Sequence, residues 1–119
     1  MTFGGYGVNK QVFAKLRIFD IDENAQVDYK ENNNFRGWKS PELRAHHGAC
    51  VVDKWWLVVH GGVGKDKKLL NDWGLFDFKL KAWVGIIVKK DGSSFLPTLR
   101  MHTLTAAASG FYMFGGLDK

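Results

Sequence analysis

Residues 57–62 read Leu57-Val58-Val59-His60-Gly61-Gly62, and fourteen residues after the second glycine comes Phe76-Asp77. An apolar run of branched residues ending in adjacent glycines reads as a strand entering a turn, because glycine reaches positive φ without a Cβ penalty. The same arrangement stands upstream, where Met1-Thr2-Phe3-Gly4-Gly5 is followed at the same interval by Phe19-Asp20. A third copy begins at Phe111-Tyr112-Met113-Phe114-Gly115-Gly116. The glycine pairs thus recur at nearly even intervals, opening at Gly4, Gly61 and Gly115. Setting residues 4–22 against 61–79 without gaps gives six identities in nineteen, at Gly4, Gly5, Gly7, Lys10, Phe19 and Asp20. A recurrence of that length marks a repeat architecture, in which each unit buries an apolar face on its neighbour.

Further marks fall into the same order. Arg44 with His46 and His47 precedes the second glycine pair, and Arg100 with His102 precedes the third. Setting Arg100 on Arg44 pairs His46 with His102. Trp83 lies six residues after Asp77 and closes the second unit, whereas the first candidate to close unit one, Trp38, lies eighteen after Asp20. The excess predicts an inserted loop over about residues 22–36. The units then run over 1–43, 44–99 and 100–119, the first starting partway through a repeat and the last only begun. Short stretches rich in aromatic and branched residues predict strands over 12–21, 48–52, 55–60, 69–78, 83–88, 102–108 and 111–114, with no convincing helix. The fold class is all-β.

The set Arg44, His47, Gly61, Gly62, Asn71, Asp72, Trp73, Phe76, Asp77 and Trp83 resembles the kelch repeat, and the resemblance covers essentially the whole chain. It implies a partial kelch-type β-propeller built from four-stranded antiparallel blades, with Trp83 filling the wedge between adjacent blades. Unit one departs from the pattern, having Ala14-Lys15-Leu16 where unit two has Asn71-Asp72-Trp73, and unit three places its histidine two rather than three positions after Arg100. About two blades fit into 119 residues, too few for a closed ring. The remaining blades are therefore expected from missing sequence or from other chains. Most members of the family are protein-interaction modules, so the resemblance implies a non-catalytic recognition or scaffolding role with a protein partner, in a cytoplasmic or cytoskeletal assembly. The alternative is part of a propeller enzyme, a galactose-oxidase-like oxidase or a sugar isomerase, whose active site lies on blades outside this sequence.

Composition sets the remaining bounds. Hydrophobic residues make up 45% and charged residues 24%, with no apolar run long enough to span a bilayer, which excludes a disordered or helical transmembrane chain. Cys50 has no partner for an internal disulfide, and the N-terminus lacks a leader pattern, so a reducing compartment is expected. The net charge of +5 arises entirely after residue 43. Lysines cluster at Lys65, Lys67, Lys68 and at Lys89, Lys90, a pattern of exposed turns that suits an acidic protein surface better than a continuous nucleic-acid groove.

Catalytic and cofactor signals are weak. Adjacent His46 and His47 on a strand point to opposite faces, which argues against a metal site, and His60 takes the place of Phe3 and Phe114 in the other copies. Gly61-Gly62-Val63-Gly64-Lys65 lacks the spacing of a phosphate-binding loop. No cofactor and no metal is expected. Candidate partner-binding residues lie instead on loops: Tyr29, Phe35 and Arg36 in the predicted insertion, and Lys65, Lys67 and Lys68 after the second glycine pair.

Overall fold

A computed structural model describes residues 1–27, 30–32, 36, 38–85, 97–108 and 110–119. The fold is all-β. Among the described residues, nine strands form three antiparallel sheets: β1 (Thr2–Phe3), β2 (Leu16–Asp20) and β3 (Ala25–Val27); β4 (Gly48–Val52), β5 (Trp56–Val63), β6 (Leu69–Asp77) and β7 (Ala82–Val84); β8 (Arg100–Ala107) and β9 (Gly110–Leu117). Within each sheet, strands follow one another in chain order, so the chain meanders up and down and passes to the next sheet. The middle sheet has four strands, as a complete blade would. The arrangement is a partial propeller-like β fold.

Local chemistry explains the hairpins. Asp53 and Lys54 take φ of 50° and 62° between β4 and β5, the left-handed pair of a tight hairpin turn that suits the twist of the flanking strands. The β2–β3 and β6–β7 turns are copies of each other. Asp20 Oδ1 accepts from the backbone N–H groups of Asp22 and Glu23 at 2.9 and 3.1 Å, and Asp77 Oδ1 from those of Lys79 and Leu80 at 2.8 and 3.1 Å. Asn24 and Lys81 then close the two turns with φ of 50° and 54°. A short carboxylate satisfying the amides two and three residues on is what holds such a turn, hence the recurrence of aspartate.

These turns correct the expected insertion. Residues 22–24 are the tight turn itself, and 25–27 form β3, the counterpart of β7 one repeat earlier. The residue matching Trp83 is therefore Gln26, not Trp38. Trp38 belongs to the connection into the next sheet, where its indole lies against Gly85. The added length of unit one follows β3. The two tryptophans thus hold different positions in the repeat.

The glycine pairs are also not simple turns. Gly61 and Gly62 lie inside β5, at a register shift in its pairing with β6, and Gly115 and Gly116 lie inside β9. The three pairs share one backbone: φ of 66° and 108° at Gly4 and Gly5, 62° and 94° at Gly61 and Gly62, 71° and 102° at Gly115 and Gly116. At Gly61 and Gly62 the register shift makes this a bulge, whereas β8 and β9 stay in register through Gly115. A Cβ on Gly4 would stand 2.5 Å from the Arg44 carbonyl oxygen, and one on Gly61 2.5 Å from that of Leu99, so both sites exclude any other residue.

The middle sheet is covered on both faces, and β5 is buried almost throughout. Leu57 and Val59 face the first sheet, joining Phe3, Leu16, Phe76 and Trp83 in one apolar cluster. Trp83 is 3% exposed and packs on Phe3 and Phe76 with ring centroids 5.0 and 5.3 Å apart, filling the space between the first two sheets. Val58 and His60 take the opposite face by alternation, toward the third sheet.

Candidate functional site

Two junctions join the three sheets, and they are built on one plan. The Gly5 N–H donates to the Arg44 carbonyl at 2.9 Å, and the Gly62 N–H to the Leu99 carbonyl at 2.7 Å. His47 leans on Gly4 as His102 leans on Gly61, with the imidazole Cε1 3.0 and 3.1 Å from the position a Cβ would take. His46 and Met101, one position earlier in each copy, have φ of 55° and 58°. The fold thus pairs His47 with His102, His46 with Met101 and Arg44 with Leu99, correcting the sequence pairing of His46 with His102 and of Arg44 with Arg100. It also explains why the histidine of unit three stands two places after Arg100: Arg100 occupies the Ala45 position.

Arg44 is a stitch between units. Its backbone N–H donates to the Phe13 carbonyl of unit one at 2.9 Å, while its fully buried guanidinium holds unit two. Nη1 donates to Gly61 O at 3.0 Å and to Asp72 Oδ1 at 2.8 Å, Nη2 to Asp72 Oδ2 at 2.7 Å, and Nε to Glu42 O at 3.1 Å. Burial pushes the Asp72 carboxyl up, but the two bonds from Arg44 and its charge outweigh that and hold it below the usual carboxylate range. Repeat marks Arg44, Gly61 and Asp72, far apart in sequence, thus form one cluster.

Beside them, His60 Nδ1 and His102 Nε2 are 3.0 Å apart and share a hydrogen bond between the second and third sheets. Trp73, opposite His60 on β6, stacks on it at 4.2 Å and meets Phe111 of β9 at 5.2 Å. Burial, and then the neighbouring His102, push His60 down to about 4; burial, and then the Arg44 charge, bring His47 to about 4; burial lowers His102 as well. Neutral imidazoles suit a structural joint. Cys50 is half-buried on β4, and burial raises its thiol above the ordinary range. Among the described residues, no group of three or more His, Cys, Asp or Glu side chains is placed to hold a metal.

The loop candidates fare unevenly. Tyr29, Phe35, Lys89 and Lys90 lie outside the described residues, as do residues 86–88 of the strand predicted after Trp83. Arg36 is exposed on the connection after β3. Lys65 and Lys67 sit on a 3-10 turn, followed by Lys68, all three exposed. The structure separates them: Lys67 lines a pocket of about 300 Å³, whereas Lys65 faces Glu42 and Leu43. A second, wider groove of about 460 Å³ runs along Trp38, Pro41, Trp73 and Trp83, with Asp72 at its edge. Sequence reasoning missed a third surface, on β9, where Tyr112 and Phe114 are 71% and 82% exposed. Its signal was present in the aromatic run before the third glycine pair.

No family model matches the chain. Among curated proteins, it is 31% identical over 124 residues to the dynein alpha chain of the flagellar outer arm of Chlamydomonas reinhardtii, across 98% of this chain and 2% of that protein. It is 29% identical over 100 residues to a probable fumarate reductase of Shewanella frigidimarina (strain NCIMB 400), across 83% of this chain and 15% of that protein. The chain thus spans a small fraction of the length of these curated relatives. No described helix is long and apolar enough to cross a membrane.

Proposed function

We propose that the chain is a stretch of a larger kelch-type β-propeller that serves as a non-catalytic protein-interaction or scaffolding module. One observation carries this reading. Gly115 has the same left-handed backbone as Gly4 and Gly61, yet no atom stands within 4 Å of the place its Cβ would take. At the other two copies, that place is filled by the carbonyl oxygen and the histidine of the following unit. A backbone shaped for a close neighbour, with room where the neighbour would sit, argues that a further unit packs there. The edge of β9 supports the same reading, since β5, its counterpart, is paired on both sides while, among the described residues, β9 pairs with β8 alone.

The interaction role rests on the exposed Tyr112 and Phe114, on the tryptophan-lined groove and on the exposed lysines of the 3-10 turn. One curated relative is by name a chain of a flagellar outer arm, which favours a cytoskeletal assembly over the other settings; cytoplasmic placement belongs to the same proposal. The other relative is named a probable reductase, and a propeller domain within an enzyme is accordingly the second reading. Hydrogen exchange on the intact protein from its native source tests the first. The amides of β9 are expected to exchange as slowly as those of β5, because another strand covers them. Exchange of β9 as fast as the loops, with β5 protected, would sink the propeller reading.

A further inference from the structure

The pocket beside Lys67 combines residues from all three units. Tyr6 comes from the first, His46, Val63, Lys67 and Leu69 from the second, and Arg100 with Lys119 from the third. The Tyr6 and His46 rings pack at 5.3 Å, and Val63 and Leu69 give the wall an apolar patch. Arg100 Nε donates to the Lys119 carbonyl at 2.7 Å, which fixes the guanidinium at the rim. No Asp or Glu lines the pocket among the described residues. Arg100 is not a repeat mark, since it stands where unit two has Ala45, while Lys67 recurs as Lys10 of unit one. Cations with no Asp or Glu side chain in the lining, around a half-apolar cavity, match a ligand with a short apolar stem and an anionic head.

We infer that this pocket binds a carboxylate side chain of an acidic peptide segment in a partner protein, with Lys67 and Arg100 holding the carboxylate, and Tyr6, Val63 and Leu69 packing on its methylenes. A volume of about 300 Å³ takes one or two side chains, which favours a peptide over stacked bases. The naming of a protein as partner rests on the interaction reading above; the pocket itself does not.

The test is fluorescence anisotropy of a fluorescein-labelled glutamate-rich peptide, and of its glutamine counterpart, against the intact protein. The glutamate peptide is expected to bind and the glutamine one not to. Lys67→Gln and Arg100→Gln should each weaken binding by about tenfold, as loss of a charge held against its partner does. Lys65→Gln and Lys68→Gln remove the same charge from the same turn but outside the pocket, and should change affinity by less than about twofold. Equal losses at all three lysines would mean diffuse attraction and overturn the site, as would equal binding of both peptides. Oligothymidylate that displaces the peptide, with a steeper dependence on salt, would overturn the choice of partner. Circular dichroism melts of each variant separate loss of binding from loss of fold. Fast exchange on β9 in a protein that still binds the glutamate peptide through Lys67 would reject the propeller and keep the pocket.

Discussion

Phe3 and His60 occupy the same place in the repeat, each just before a glycine pair, and each meets a histidine of the following unit. Phe3 packs edge-on against His47 at 5.5 Å and 74°, and His60 against His102 at 5.0 Å and 75°. The geometry is one; the chemistry is two. The first junction is apolar, with Phe3 continuing into Trp83 and Phe76, while the second carries a shared hydrogen bond between imidazoles next to the Arg44–Asp72 pair. A repeat can thus keep its backbone plan while one joint carries a single shifted imidazole, His47, and the next carries a pair, His60 and His102.

The largest effect that would break this comparison lies in the apolar junction. Trp83→Ala is expected to lower stability by about 3–5 kcal/mol, as truncation of a buried aromatic does. A denaturation midpoint equal to that of the parent would mean Trp83 does not join the sheets. Arg44→Leu, which installs the residue of the matching position Leu99, should cost about 2–4 kcal/mol by urea unfolding, since it strips the Gly61 carbonyl of its donor and leaves Asp72 unpaired. A smaller loss than at Trp83 is expected because Asp72 is 46% exposed and water takes part of its charge.

The additional imidazole of the second junction should next show in the pH dependence. His60 falls from 6.5 to about 4 in the fold, so between those values the unfolded chain binds the additional proton and stability declines as pH falls. His60 should contribute ~2–3 kcal/mol of that decline, all of its stabilisation being present above about pH 6.5. His60→Phe, the choice of the other two copies, should flatten the slope of stability between pH 6.5 and 4 without abolishing it, because His47 titrates in the same window. An unchanged slope would show that His60 does not charge on unfolding. The smallest effect concerns the two copied turns. Asp77→Ala should cost ~1–2 kcal/mol and Asp20→Ala ~0.5 kcal/mol, because Asp77 is 7% exposed while the bonds of Asp20 compete with water. Equal costs would mean burial does not set the worth of these bonds.

Local features were the legible ones. The all-β class, the glycine pairs and the recurring Phe-Asp depend on conformational preferences that act within a few residues, and those leave marks in composition and spacing. The strand around Gly48 and the hairpin start at Leu69 were readable for that reason. Trp38 was misplaced because the hairpin that follows Asp20 has Gln26 at the Trp83 position, whose exposure asks for no aromatic. The histidine pairing slipped by one residue for a related reason: Arg100 supplied a familiar letter at a position the fold gives to Ala45.

By itself, the sequence determined a β-rich repeat marked by its three glycine pairs, and the turns that punctuate it, because glycine, aspartate and alternating apolar side chains act on their own neighbourhood. Only the tertiary structure decided which histidines meet, that Arg44 reaches Gly61 and Asp72, and that Tyr6, Lys67 and Arg100 share one pocket. Those contacts join residues far apart in the chain, and one residue more or less in a connection redirects every side chain beyond it.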